Sequence, residues 1–189
     1  MEANELFNII KRRRSVMPNM YSDEEITAGE LKLITEAANW APTHKHTEPG
    51  RFIILDRNAK LRFAEFMLSQ YKLNTAPENQ NQRKMEQIRE KCLKSDKIIL
   101  ICAKISGKLP EWEEIASVAS GVQNMWLMCT AMKIGSYWSS PGAISKMNEF
   151  VDLAEDEKCI GIFYMGKLKS ELFEGQRTAI EDKVRFIYD

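Results

Sequence analysis

Apolar and polar positions fall into blocks of distinct period along the chain. Over residues 4–11, Leu6, Ile9 and Ile10 recur at helical spacing and predict a short helix that runs into the basic cluster Arg12-Arg13-Arg14-Ser15. Met17-Pro18-Asn19 breaks regular structure, because proline disfavours helix in the residue before it. Thr27 and Glu30 have capping-box spacing, and Leu31, Ile34, Ala37 and Ala38 share one face, so a second helix starts near Thr27 and stops before Ala41-Pro42. Residues 41–50, with a proline near each end and polar side chains between, read as a loop able to hold a ligand. A strand over 51–55 and a helix over 58–71 follow. Residues 74–82 turn polar and rich in Asn and Gln, as either a surface excursion or the start of a helix running to Lys94, and are the natural place for a lid or variable insertion.

The second half is more apolar. Residues 97–103 are short, mostly β-branched and bounded by charge, which predicts a buried strand. Residues 111–133 hold one glycine and no proline. Ile115, Ala116, Ala119, Val122, Trp126 and Cys129 make a helical series that Met125, Leu127, Met128 and Met132 widen beyond one stripe. That helix is expected to be buried on more than one side, as the spine of the fold or part of a subunit interface. Gly135 fits its stop. A short strand over 136–138, a tight turn over 139–142, a short helix capped by Ser145 and a strand over 158–165 complete the pattern. The tail from Gln176, with Ile180, Val184, Phe186 and Ile187, is too apolar for a free end.

Composition narrows the function classes. Lys and Arg number 27 and so do Asp and Glu, so net charge is zero and no global positive field holds the chain to nucleic acid. A local anion site stays open. No run approaches the roughly 18 to 20 apolar residues that span a bilayer, and the opening Met-Glu-Ala-Asn-Glu lacks the order of a signal peptide. Cys92, Cys102, Cys129 and Cys159 form no paired spacing and read as reduced, small apolar residues. A single domain over residues 1–189 in the cytoplasm is expected.

Two clusters are able to carry chemistry. Arg12-Arg13-Arg14-Ser15 suits a phosphate, since guanidinium groups bind it bidentately, but a solvated basic helix end also accounts for it. His44-Lys45-His46 holds both histidines, with no further ligands placed to complete a metal site. No nucleophile elbow, G-x-G-x-x-G fingerprint or phosphate-cradling Gly-Lys-Ser/Thr loop is present.

Taken in order, Arg13-Arg14-Ser15, then Ala41-Pro-Thr-His-Lys45 leading to Glu48-Pro49-Gly-Arg-Phe-Ile53, then Gly135-Ser-Tyr-Trp-Ser-Ser-Pro-Gly142, then Ile160-Gly-Ile-Phe-Tyr-Met-Gly166 resembles the FMN-dependent nitroreductase family, nearest its small YdjA-type members. The likeness covers nearly the whole chain. It implies an α+β fold with a mainly antiparallel central sheet surrounded by helices, and a homodimer with FMN at the subunit interface. It assigns Arg13, Arg14 and Ser15 to the phosphate and the polar edge of the flavin. His44 approaches the cofactor, Trp138, Ser139 and Ser140 lie against it, and Arg177 is a second phosphate ligand. The implied activity is ping-pong transfer from NAD(P)H to a small nitroaromatic or quinone-type acceptor, with the chemistry carried by FMN rather than by a catalytic residue and with no metal. The chain departs from the family pattern at Glu48 and Gly50, which open the pocket and add negative charge, at Trp40, at Met17 where a basic residue is common, and in the longer Ser139–Gly142 segment. These departures leave an alternative: a flavin-binding protein that stores or senses FMN without efficient turnover.

Overall fold

The computed structural model describes residues 2–171 and 175–188. Four strands, β1 (Gly50–Leu55), β2 (Lys97–Lys104), β3 (Ile134–Ser139) and β4 (Glu157–Lys167), form one sheet in the order β1-β2-β4-β3, with every pairing antiparallel. Five α-helices surround it: α1 (Ala3–Arg12), α2 (Ala28–Asn39), α3 (Asn58–Leu73), α4 (Gln82–Lys94) and α5 (Glu111–Ala131). This is the α+β architecture expected from the sequence.

The central strands are apolar on both faces because both faces are covered. In β2, Ile99 and Ile101 join Phe163 and Met165 of β4 under α2 and α5, which contribute Ile34, Val118, Val122, Met125 and Cys129. Ile98 and Leu100 point the other way, to Phe63, Ala64 and Met67 of α3, Cys92 of α4, and Met147. The period of two along β2 thus sorts consecutive side chains into two cores. Pairing between β2 and β4 slips at one point: Ile101 faces Gly161 while Cys102 faces Cys159, so Ile160 is an extra residue in a bulge.

Local signals were followed closely at α2. Thr27 Oγ1 accepts from Glu30 N at 3.2 Å and Glu30 Oε2 accepts from Thr27 N at 2.9 Å, the two halves of a capping box. Residues 74–82 resolve into a 3₁₀ turn at Pro77–Asn79 and the cap of α4, where Asn81 accepts from Lys84 N.

Two expectations are corrected. Gly135 does not stop α5: the left-handed residue is Lys133, at φ 57°, and Gly135 lies inside β3 opposite Gly166. There it is needed for space, since a Cβ would meet Leu168 at 2.6 Å and Tyr21 at 2.7 Å. Ser145 does not cap a helix, because residues Gly142–Glu149 form a 3₁₀ segment preceded by Pro141, and the Ser145 hydroxyl donates to Gly142 O. The apolar tail is exposed in the single chain, Phe186 at 70% and Ile187 at 83%.

Among the described residues no helix is long and apolar enough to cross a membrane, and no group of three His, Cys, Asp or Glu is placed to hold a metal.

Candidate functional site

The end of α1 delivers the arginines to the sheet. Arg13 caps the helix through its own N–H to Ile9 O and then turns extended. The next residues are pinned to the α5 side of β3. Val16 N donates to Ser136 O at 3.0 Å, and the Trp126 indole N–H is shared between Arg14 O at 3.1 Å and Ser136 O at 3.2 Å. Tyr21 completes the anchor, its hydroxyl 2.8 Å from Val16 O and 3.2 Å from Tyr164 O. The backbone of this segment is therefore held at four points within seven residues of Arg14.

The side chains at this end carry unbalanced charge. The Arg13 guanidinium lies over the Trp126 ring, 4.6 Å from its centroid. Burial pushes Arg13 below its ordinary value, and the charges of Arg177 and Arg14 push it further in the same direction. Gly175, just ahead of Arg177, passes so near Arg14 that a Cβ there would be 3.5 Å from Nη2. None of Arg13, Arg14 and Arg177 makes an ion pair among the described residues. Three neighbouring guanidinium groups without an ion-paired carboxylate among the described residues suit a dianion such as a phosphate in charge and donor type. Ser15 is exposed beside them.

Trp138, two residues beyond Ser136 on β3, pairs in register with Phe163. Its indole N–H is buried and has no hydrogen-bond partner. Room for the ring comes from Gly161, where a Cβ would fall 1.7 Å from Trp138 Nε1. Ser139 points to the opposite side of the sheet and lines a cleft of about 420 Å³ between α3, α4 and the turn at 141–146, while Ser140 is exposed.

His44 is elsewhere. The 41–50 loop is folded tightly, with Lys45, His46 and Glu48 all at positive φ, and it is tied to the start of α5: His44 Nδ1 lies 2.7 Å from Glu113 Oε2, and Ser117 Oγ donates to Pro42 O. Glu113 precedes Trp126 by thirteen residues of one helix, a distance of about 20 Å. Arg13, Arg14, Arg177 and Trp138 are thus brought to one region, and His44 is not.

Two positioning residues were not singled out for this site in the sequence. Trp126 was read as packing alone, yet it supports Arg13 and holds Arg14; nothing in the helical series separates it from its apolar neighbours. Tyr21 carries no sequence signal at all beyond its proximity to Arg13-Arg14-Ser15.

The model of the Nitroreductase family matches residues 10–167. The chain belongs to the nitroreductase family. Among curated proteins this nitroreductase-family chain is similar to YdjA of Escherichia coli (strain K12), provisionally named an NAD(P)H nitroreductase, at 26% identity over 171 residues, 88% of each protein. Among solved structures it resembles a nitroreductase-like family protein from Bacillus cereus, at TM-score 0.85 and 21% identity over 100% of this chain and 99% of the other. It also resembles a nitroreductase with bound FMN from Bacteroides fragilis NCTC 9343, at TM-score 0.72 and 19% identity over 98% and 100%. Likeness at that identity shows the fold, which agrees with the sheet and helices described above. Membership in the family makes the chain an oxidoreductase.

Proposed function

We propose that this chain is an FMN-dependent NAD(P)H oxidoreductase of the cytoplasm that reduces nitroaromatic or quinone-type acceptors in two half-reactions at one site. The observation that carries the reading is the convergence of Arg13, Arg14 and Arg177, without an acidic partner among the described residues, beside Trp126 and the end of β3. The bound FMN of the Bacteroides fragilis relative and the NAD(P)H in the name of the Escherichia coli relative support the same cofactors here.

The residues present fit FMN. Its phosphate is a dianion, which the three guanidinium groups and the Ser15 hydroxyl match in charge and donor type. The unpartnered Trp138 indole N–H is a buried donor that a polar edge of the flavin would satisfy, with the exposed Ser140 just beyond it, while Ser139 faces the cleft on the other side of the sheet. When bound, FMN supplies the hydride and electron transfer, which accounts for the lack of a nucleophile or triad. Binding and orientation fall to the arginines and the β3 end; Trp126 and Tyr21 keep the arginine segment in place.

The site as proposed is completed by a second copy, giving a homodimer with one FMN-binding domain per chain. Leu6, Phe7 and Ile10 of α1, Trp112 of α5 and the apolar tail lie exposed in the single chain, apolar surface that a second copy would cover. A two-fold arrangement along α5 would carry the partner's loop 41–50 toward the arginines and resolve the distance of His44.

The test is direct. The purified protein should be yellow with FMN, bleach under anaerobic NAD(P)H and recover its colour with a quinone or nitro compound. Arg13→Ala should raise the FMN dissociation constant about 10- to 150-fold, the equivalent of one charge-assisted bond of about 1.5 to 3 kcal/mol. An unchanged constant removes Arg13 from the site; a yellow protein that NAD(P)H fails to bleach supports storage or sensing instead.

A further inference from the structure

The two central strands bring together a pair of cysteines that lie 57 positions apart in the chain. Cys102 of β2 and Cys159 of β4 are facing partners in an antiparallel ladder. Both side chains belong to the α3 side of the sheet, so they leave it on the same face. Facing residues of such a ladder hold their Cα atoms roughly 4.5 to 5.5 Å apart, within the range of about 4.4 to 6.8 Å that a disulfide spans. Each thiol acts on the acidity of the other, with Cys102 pushed above its ordinary value and Cys159 held below it. The pair adjoins the bulge at Ile160, where the ladder is locally disrupted and a strand can shift without breaking a regular run of hydrogen bonds.

We propose that Cys102 and Cys159 are a reversible redox site, closed into a β2–β4 disulfide by hydrogen peroxide, with Cys159 as the attacking sulfur and Cys102 as the resolving one. The order follows from access and environment. Cys159 retains 8% exposure and Cys102 none, so a water-sized oxidant meets Cys159 first. The neighbouring Cys102 holds the Cys159 thiol below its ordinary value against the opposing effect of burial. Burial pushes Cys92 and Cys129 up to about 12, so both stay protonated.

The chemistry balances in two steps. The Cys159 thiolate attacks one oxygen of hydrogen peroxide, the O–O bond breaks, and a sulfenic acid and hydroxide form. The Cys102 sulfur then attacks the Cys159 sulfur; the S–O bond breaks, the S–S bond forms, and the departing hydroxide takes up the Cys102 proton as water. Two thiols have lost two hydrogens, and one peroxide has become two waters. A small dithiol reverses the result by exchange. Nothing in this sequence depends on a bound flavin.

The experiment uses the full chain as purified. After exposure to hydrogen peroxide, free thiols are alkylated with iodoacetamide in denaturant and the protein is digested with trypsin, which releases Ile98–Lys104 and Cys159–Lys167 with one cysteine each. The two peptides should be recovered joined, lighter than their sum by two hydrogens, and should return separately alkylated after dithiothreitol, while Cys92 and Cys129 are alkylated throughout. Cys102→Ser, which keeps a hydroxyl donor beside Cys159 but no resolving sulfur, should carry Cys159 on to the sulfinic acid. Separate alkylated peptides in the peroxide-treated wild type, or disulfides formed equally with Cys92 or Cys129, would overturn the proposal. A Cys102→Ser protein whose Cys159 stays fully alkylatable would overturn the assignment of Cys159 as the attacking sulfur.

Discussion

Tyr21 lies flat against two glycines that face each other across β3 and β4, and its removal or displacement gives a quantitative test of how the arginine segment is anchored. A Cβ added at Gly166 would fall 2.5, 2.6 and 2.8 Å from Cδ2, Cγ and Cβ of Tyr21. Those atoms are near the root of the side chain, so rotation of the ring does not relieve the contact. The hydroxyl at the other end is held between Val16 O and Tyr164 O, and the residue is only 2% exposed. Gly166→Ala must therefore displace the whole side chain. Overpacking of this kind costs about 1 to 3 kcal/mol, here at the upper end because the neighbours are rigid. The reduced entropy of the unfolded alanine chain returns about 0.4 to 1 kcal/mol. The net loss is about 2 kcal/mol. Tyr21→Ala alone should cost about 3 to 5 kcal/mol through the cavity and the released carbonyls. In that background the new methyl has room, so Gly166→Ala becomes neutral or slightly stabilising, and the coupling between the two sites is about 2 kcal/mol or more. Equilibrium unfolding of the four proteins in urea, with m-values compared, measures the cycle. A loss below about 0.5 kcal/mol for Gly166→Ala in the wild type, or the same loss in both backgrounds, would refute the argument.

Two further outcomes follow from the fold. Lys133 sits at φ 57° after α5, so Lys133→Gly should raise stability by about 0.5 to 1 kcal/mol; a loss in the same urea experiment would mean that the left-handed turn is not at this position. The Glu30 carboxyl is held below its ordinary value by the Lys167 hydrogen bond first and by the Thr27 backbone N–H second. A depressed folded value stabilises above the unfolded carboxylate value of about 4.3 and is lost as pH falls through the folded one. Glu30→Gln should therefore cost about 1 kcal/mol at pH 7, with the gap to wild type closing on acidification from about pH 5 to pH 3; a gap that stays constant would remove Glu30 from the acid response.

The helices and strands were legible because their signals are local. The capping box of α2 needs only Thr27 and Glu30, and the apolar run of β2 reflects burial on both faces. The misread positions are those where a distant partner decides. Gly135 has the composition of a helix stop, but the residue that needs its missing side chain is Tyr21, which no period in the sequence connects to it. Ser145 has the composition of a cap, yet Pro141 and Gly142 ahead of it set a 3₁₀ path. The apolar tail, by contrast, is exposed within one chain, so no residue near it in sequence sets its cover.

The site divides in the same way. By itself the sequence determined the fold class, the order of the elements and, through the order of four short segments, the family. It left the arginine cluster open between a solvated helix end and an anion cradle. Only the tertiary structure shows that Arg177, more than 160 positions away, acts on Arg13 as a like charge with no ion pair to either among the described residues, and that arrangement supports the cradle proposed above. It also decided that His44 stands about 20 Å along α5 from the arginines of its own chain and that Cys102 and Cys159 face one another. Local propensity is written in neighbouring residues; electrostatic and steric complementarity exists only between surfaces that folding has brought together.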